Sequence, residues 1–436
     1  MLTAWTSLFF GCADNVLKCS TFALAKTPCS VLRYCPVKLK RLLTNRPDLR
    51  AFSRPTKSSF LVLFTLEPLY RSIIVTAVPL MALERFGSAQ AVSIFFFVLG
   101  ILGVGMSLAV PWLVRCLARR GTFMLGIVSG VVSMLLFMHD ELWAFCIGMA
   151  LHLFAASCID VTLNLYLMGH VRRQDFGRYE PIRMFFLAFS WSVGPFLGVY
   201  LRNAVNPAAP FLVGAVVVLL LGAYFFYLRF SDESTRGSKQ VAVTNPIRYL
   251  PRFFAQPRMT LVYLLSAVRS GWWTMYFIYV PIFCVTAGLG ETMGGALVSV
   301  AVSFVMATPL LRGTIQRHGI RRVLLVGYCG AGLVTIGIGI SMGLPYLAVS
   351  LILLAALFSV LCDSVGNTLF YRAVRSWERS EMATVFGSYR SVSSLAFPGV
   401  YSGVLAIFPL PAVFIFTGFG MLATSLMTRF IPARMR

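Results

Sequence analysis

From residue 59 to residue 428, apolar stretches of about 20 residues follow one another with only short polar breaks, and this pattern constrains the chain more than any other. The stretches run roughly over 59–81, 90–113, 122–138, 143–168, 184–201, 209–228, 259–286, 294–311, 323–342, 345–371, 385–407 and 411–428. Each is close to the ~20 residues a helix needs to cross the hydrocarbon layer. Strands are excluded, because the runs are too long and do not alternate. In lipid, only a helix satisfies its own backbone over such a length. The chain is 58% hydrophobic and only 12% charged, where a soluble domain carries about 25% charge. It therefore reads as an all-α polytopic membrane protein of twelve transmembrane helices, with membrane lipid as its solvent.

The net charge of +23 comes from 38 Lys and Arg against 15 Asp and Glu. Taken alone it would suit nucleic acid or anionic lipid, and the positions of the charges separate the two. Alternate breaks carry Arg115, Arg119 and Arg120, then Arg172, Arg173, Arg178 and Arg183, then the 229–258 segment. The series continues with Arg312, Arg317, Arg321 and Arg322, then Arg372, Arg375 and Arg379, and the tail Arg429, Arg434 and Arg436. The intervening breaks carry only Arg85 and Arg202. This is the positive-inside asymmetry, and it places both termini in the cytoplasm. The basic residues are dispersed among separate segments, so no nucleic-acid partner is expected.

Residues 1–57 are different in kind. They hold five of the six lysines and the cysteines Cys12, Cys19, Cys29 and Cys35. The first apolar stretch is broken by Asp14, Asn15 and Lys18 and lacks the pattern of a signal peptide. The segment reads as a disordered cytoplasmic tail. Its cysteine spacings match no zinc pattern, and no metal or cofactor is expected anywhere in the chain. His-Glu-x-x-His, Gly-x-Ser-x-Gly and Walker sequences are missing, which argues against a membrane enzyme.

The polar segment 229–258 divides the runs six and six, and the halves share landmarks. Arg71-Ser72 recurs as Arg269-Ser270, and Leu117-Ala-Arg-Arg-Gly121 recurs as Ile315-Gln-Arg-His-Gly319, both at an offset of 198. Asp160-x-x-x-Asn164 recurs as Asp363-x-x-x-Asn367 at 203. Together these features resemble the major facilitator superfamily. Gln316-Arg317-His318-Gly319-Ile320-Arg321-Arg322 resembles that family's loop signature, and Gly194-Pro195-x-x-Gly198 is similar to part of its antiporter motif. The resemblance covers about 59–430. It implies two pseudo-symmetric six-helix bundles, 58–228 and 259–436, joined by a cytoplasmic loop at 229–258. It also implies gating loops at Arg119 and Gly121 and at Arg317, Gly319, Arg321 and Arg322. The chain departs from the pattern in three places. The first loop copy has no aspartate, Gln316 stands where the second would have one, and the fourth run carries His152 and Asp160 where drug–proton antiporters carry arginine.

In the family the first, fourth, seventh and tenth spans line a central cavity. Here those runs hold Glu67 and Arg71, Asp160 and Asn164, Arg269, and Asp363 and Asn367, with Arg390 just inside the eleventh. An ionisable side chain at mid-membrane costs ~2.5–3.5 kcal/mol on insertion scales, so three acids and three arginines suggest pairing. Glu67 and Arg71 are four apart, on one helix face. A carboxylate whose surroundings alternate between dry and wet, with and without an arginine, changes its proton affinity at each alternation. Asp160, Asp363 and Glu67 are the candidate proton carriers. Arg71 and Arg269, equivalent in the two halves, present forks suited to an anionic solute, with Tyr70, Trp273 and Tyr276 as aromatic walls. Asn164, Asn367, Arg390 and His152 are candidate supports.

The expected function is secondary active transport of a small anionic or amphipathic organic solute, coupled to protons and carried out by a monomer. Efflux of hydrophobic compounds, or lipid translocation, is the alternative on the same fold. A non-transporting sensor and a membrane enzyme are the readings outside transport. The preference for Arg over Lys after residue 57 points to a GC-rich bacterial genome, and so to the inner (plasma) membrane.

Overall fold

The computed structural model describes residues 57–170, 176–228, 246–366, 368–375 and 378–431. The expectations for the 1–57 tail up to residue 56, for Arg172, Arg173, Asn367, Arg434 and Arg436, and for 229–245 lie outside them. Among the described residues all regular structure is helical. In chain order the helices are α1 (Lys57–Val75), α2 (Ala77–Phe86), α3 (Ala89–Phe137), α4 (Leu142–His170), α5 (Phe176–Ala204) and α6 (Ala209–Tyr227). Then come α7 (Pro246–Phe254), α8 (Pro257–Thr286), α9 (Glu291–Ser303) and, after a 3₁₀ stretch at Phe304–Leu311, α10 (Arg312–His318) and α11 (Ile320–Ile340). The last are α12 (Pro345–Val365), α13 (Thr368–Ala373), α14 (Arg379–Gly387), α15 (Tyr389–Ile407) and α16 (Pro411–Met427).

Local chemistry sets many of these ends. Ser88 caps α3 by accepting from Ala91 N–H at 3.2 Å. Gly87, at φ 72°, closes α2 with a bond from its N–H to Leu83 O. Proline stands in the first turn of α6, α8, α12 and α16, where its missing N–H costs nothing. Nine helices among the described residues are long and apolar enough to cross a membrane. The 49-residue α3 among them turns sharply at Ala118, so it is two helices end to end.

Several expected boundaries differ. The first run continues through a break at Thr76 to Phe86, and the 229–258 loop contains the short helix α7. The eighth run changes to 3₁₀ at Phe304, and the tenth breaks at Gly366.

The two halves pack by one scheme. α1 packs on α5 and α6, as α8 packs on α15 and α16. The second part of α3 lies on α4 and α6, with Gly126 against Ile159 and Gly130 against Val218. α11 likewise lies on α12 and α16, with Gly327 against Cys362 and Gly332 against the Gly418 carbonyl. Small residues let helix backbones approach where lipid supplies no hydrophobic drive. Between halves, α3 meets α15, α5 meets α9, and α2 meets α8.

The corner in the middle of α3 corrects one sequence match. Ala118 has φ 59° and ψ 169°, and Gly319 between α10 and α11 has φ 78° and ψ 154°. The same backbone turn therefore pairs Ala118 with Gly319, at an offset of 201 rather than the 198 suggested by the Arg-Gly letters. Arg115 then stands where Gln316 stands, and Arg120 where Arg321 stands. This conformation is glycine's own, and a side chain there costs about 1–3 kcal/mol. Ala118→Gly should therefore raise the thermal unfolding midpoint, with a net gain of about 1 kcal/mol once glycine's extra chain entropy is subtracted. A lowered midpoint would mean that the corner is unstrained.

Candidate functional site

The contacts between the halves that carry named bonds gather at one end of the molecule, opposite the end where the arginines of the polar breaks lie. Ser93 on α3 shares a 2.6 Å hydrogen bond with Tyr279 on α8. Gly100 lies against the backbone of Leu395, and Gly399 against Phe97. On the other side of the interface Ser299 Oγ accepts from Phe196 N–H at 2.9 Å, and Asn203 donates to Thr292 at 3.1 Å. Arg202, one of the two arginines expected outside, bridges Glu84 at 2.6 Å and Glu291 of α9 at 3.6 Å. Further along α3, a Cβ at Gly103 or Gly105 would meet nothing within 4 Å. Of Gly100, Gly103 and Gly105, only Gly100 packs closely on another helix. These bonds join the halves at one end of the molecule.

Partway along the first half, Arg71 donates to Glu67 at 3.0 Å along α1, as the spacing of four predicts. Glu67 is buried and Arg71 half-buried, with its guanidinium 6.0 Å from the Trp191 ring on α5. Asp160 on α4 is exposed and accepts from Asn164 Nδ2 at 2.9 Å. Among the described residues no ion pair is formed by Asp160. His152 is buried with its ring edge-on to Tyr70, centroids 5.4 Å apart. His152 Nδ1 and the Tyr70 hydroxyl are both buried without a hydrogen-bond partner.

The second half solves the same problem between helices. Arg269 on α8 is buried and holds Asp363 on α12 at 3.2 Å, with a further bond from Nη1 to Cys362 O at 3.3 Å. Trp273, one turn further along α8, donates its indole N–H to the other oxygen of Asp363 at 2.7 Å. Trp272 turns away and bonds Thr335 on α11 at 3.0 Å. Tyr276 is fully buried and donates to Leu297 O at 3.3 Å. Arg390 is exposed on α15, its Nε donating to the Tyr389 hydroxyl at 3.2 Å.

The expected aromatic walls thus divide. Trp273 is half-buried beside the acid it bonds, while Tyr70 and Tyr276 are closed off in this conformation. At the Arg-rich end Arg119 reaches Leu165 O at 3.5 Å, and Gly121 packs on Leu117. Arg321 and Arg322, with His318, Gly319 and Leu325, line a shallow depression, and Arg317 is exposed beside them. Sequence reasoning missed Trp191, Tyr389 and the outer cluster of Glu84, Arg202 and Glu291. It also missed the Arg252–Glu378 ion pair, which ties α7 to the start of α14. Among the described residues no group of three possible metal ligands is present.

The chain belongs to the Major Facilitator Superfamily, whose family model matches residues 60–400. It is accordingly a multi-pass membrane protein of a transporter family. Solved structures similar to it include a POT family transporter in complex with 5-aminolevulinic acid. That likeness has 13% identity and a TM-score of 0.71, over 87% of this chain and 96% of that one. The nucleoside transporter NupG is similar at 12% identity and a TM-score of 0.69, over 86% and 98%. At such identities the likeness is one of fold. No curated protein sequence matches the chain.

Proposed function

We propose that the protein is a proton-coupled secondary transporter of a small anionic or amphipathic organic solute. Twelve spans form two six-helix bundles, 58–228 and 259–436, which rock about a midplane site and open it to either side in turn. Both termini and the 229–258 connection lie in the cytoplasm of a bacterial plasma membrane, and the present conformation is open inward. The observation that carries this reading is the buried Arg269–Asp363 pair with the Trp273 indole on the same carboxylate. An ion pair that deep is costly, and it marks a functional pathway.

Proton arrival at Asp363 cancels the charge that holds Arg269, and the freed guanidinium turns to the solute. Solute departure returns the arginine to the acid and releases the proton. Glu67 and Arg71 repeat the device in the first half, and Asp160 is the third proton carrier. Tyr70, Trp273 and Tyr276 contact solute as the bundles rock, supported by Asn164, Asn367, Arg390 and His152. The corners at Arg119 and Gly121 and at Arg317, Gly319, Arg321 and Arg322 gate the cytoplasmic side.

The test is Asp363→Asn in proteoliposomes. Accumulation driven by an imposed pH gradient should fall at least tenfold, while exchange of labelled for unlabelled solute across the same membrane persists. Accumulation unchanged by the substitution would remove Asp363 from the coupling route. Transport of apolar compounds alone, indifferent to the acids and arginines, would favour efflux of hydrophobic molecules.

A further inference from the structure

Several arginines near the ends of the spans are spent on neighbours. Arg119 reaches Leu165 O at 3.5 Å, and the guanidinium of Arg120 lies 5.0 Å from the centre of the Phe226 ring. Arg183 lies 4.9 Å from the Phe64 ring, and Arg252 pairs with Glu378. Arg321 and Arg322, in the first turn of α11, are different. Among the described residues neither forms an ion pair, a hydrogen bond or a ring contact. The chain offers them no acid nearby, since none stands between Glu291 and Asp363.

Both arginines line the same shallow depression, with His318, Gly319 and Leu325. His318 is tied to its own helix by a 3.2 Å bond between Nδ1 and Thr314 O. The lining is therefore cationic with one apolar side chain, and that side chain begins a longer stripe. Val326, Leu333 and Ile340 are exposed and follow Arg322 by four, eleven and eighteen residues, which is one face of α11. α11 is long and apolar enough to cross a membrane, so this exposed face meets lipid chains and the arginines stand at headgroup level. From Arg322 to Leu333 is ~16 Å at ~1.5 Å per residue, about half of the ~30 Å hydrocarbon core, the depth of one leaflet. The corner at Ala118 has no equivalent. Arg120 stands where Arg321 does but lies over Phe226, while Leu117 and Gly121 stand where His318 and Arg322 do.

We infer that this depression seats the headgroup of an anionic phospholipid from the surrounding membrane. Its phosphate lies on Arg321 and Arg322, and one acyl chain runs down α11 over Leu325, Val326 and Leu333. A guanidinium is a planar fork that matches phosphate oxygens, and two adjacent forks without an internal acid have charge left to give. Net negative charge is needed, because the ammonium of a zwitterionic headgroup would face the same two arginines. A free phosphate would use the arginines and leave the apolar stripe without a role. The inference rests on α11 crossing a membrane and is independent of the solute and of proton coupling.

Thermal unfolding of the full chain in a neutral detergent tests it with dioleoylphosphatidylglycerol, dioleoylphosphatidylcholine and inorganic phosphate at matched concentrations. Phosphatidylglycerol should raise the unfolding midpoint, and the other two should leave it in place. Arg321→Gln/Arg322→Gln should lose that shift yet keep the lipid-free midpoint, because the two side chains bond nothing within the fold. Arg321→Lys/Arg322→Lys should keep a reduced shift, since the charge stays and the fork is lost. Arg120→Gln, at the first-half corner, should keep the shift in full. An equal shift with inorganic phosphate would overturn the inference and make this a site for a free anion. An equal shift with phosphatidylcholine would overturn it by removing the need for negative charge. A shift that survives Arg321→Gln/Arg322→Gln, or is lost in Arg120→Gln, would place the lipid elsewhere. No shift with phosphatidylglycerol in the wild type would leave the two arginines as solvated charges.

Discussion

Arg269→Ala is expected to lower the free energy of unfolding by about 3–5 kcal/mol, the cost typical of removing one partner from a buried ion pair. The substitution leaves Asp363 on α12 without its guanidinium, and Trp273 as its remaining donor. It also leaves the Cys362 carbonyl without the Arg269 bond. Most of the loss comes from the stranded carboxylate rather than from the attraction itself. The double variant Arg269→Ala/Asp363→Ala should therefore recover much of the stability, because a neutral pair of small side chains has no charge to strand. Transport should not return with it. Denaturant or thermal unfolding of the two variants, read beside uptake, separates the structural part of the pair from the functional part. If the single and double variants were equally unstable, packing of the arginine stem would outweigh the charge.

Gly198→Ala is expected to be nearly as damaging. A Cβ at this position would be driven into the backbone carbonyl of Ile73, and the neighbouring Gly194 meets Ser72 in the same way. Ser72 is itself fixed, donating to Ser190 O at 2.9 Å across the α1–α5 contact. Overpacking commonly costs ~1–3 kcal/mol. The upper end applies here, because the obstacle is backbone and cannot rotate aside. The expected result is a drop of about 3 kcal/mol and a sharply reduced yield of folded protein. Gly103→Ala, on α3, should be close to neutral because nothing lies within 4 Å of its added carbon. Comparable losses at both positions would contradict the packing described for α1 and α5.

These two glycines show what the sequence made legible and what it hid. Apolar runs of spanning length announce helices, because lipid leaves the backbone no other choice. The Glu67–Arg71 pair was legible too, since a spacing of four on one helix fixes both ends of the interaction. The Arg269–Asp363 pair was not, because partners on different helices are chosen by how α8 and α12 turn toward each other. Trp273 read as part of an aromatic wall, and only its position against α12 shows the indole bound to an acid. Gly100 and Gly103 are alike as letters. They differ in what stands beside them: the backbone of Leu395 on α15 at Gly100, and nothing within 4 Å at Gly103. The corner at Ala118 was hidden more thoroughly. An alanine holds a conformation that belongs to glycine, so matching the nearby Arg and Gly letters placed the repeat three residues out of register.

The most direct test of the account is to measure proton movement and solute movement together in proteoliposomes that enclose a fluorescent pH reporter. Adding a transported solute outside should change the internal pH in step with its entry, and Asp363→Asn should abolish the pH change while solute exchange continues. Solute crossing with no change in internal pH, or with one that Asp363→Asn leaves intact, would contradict it.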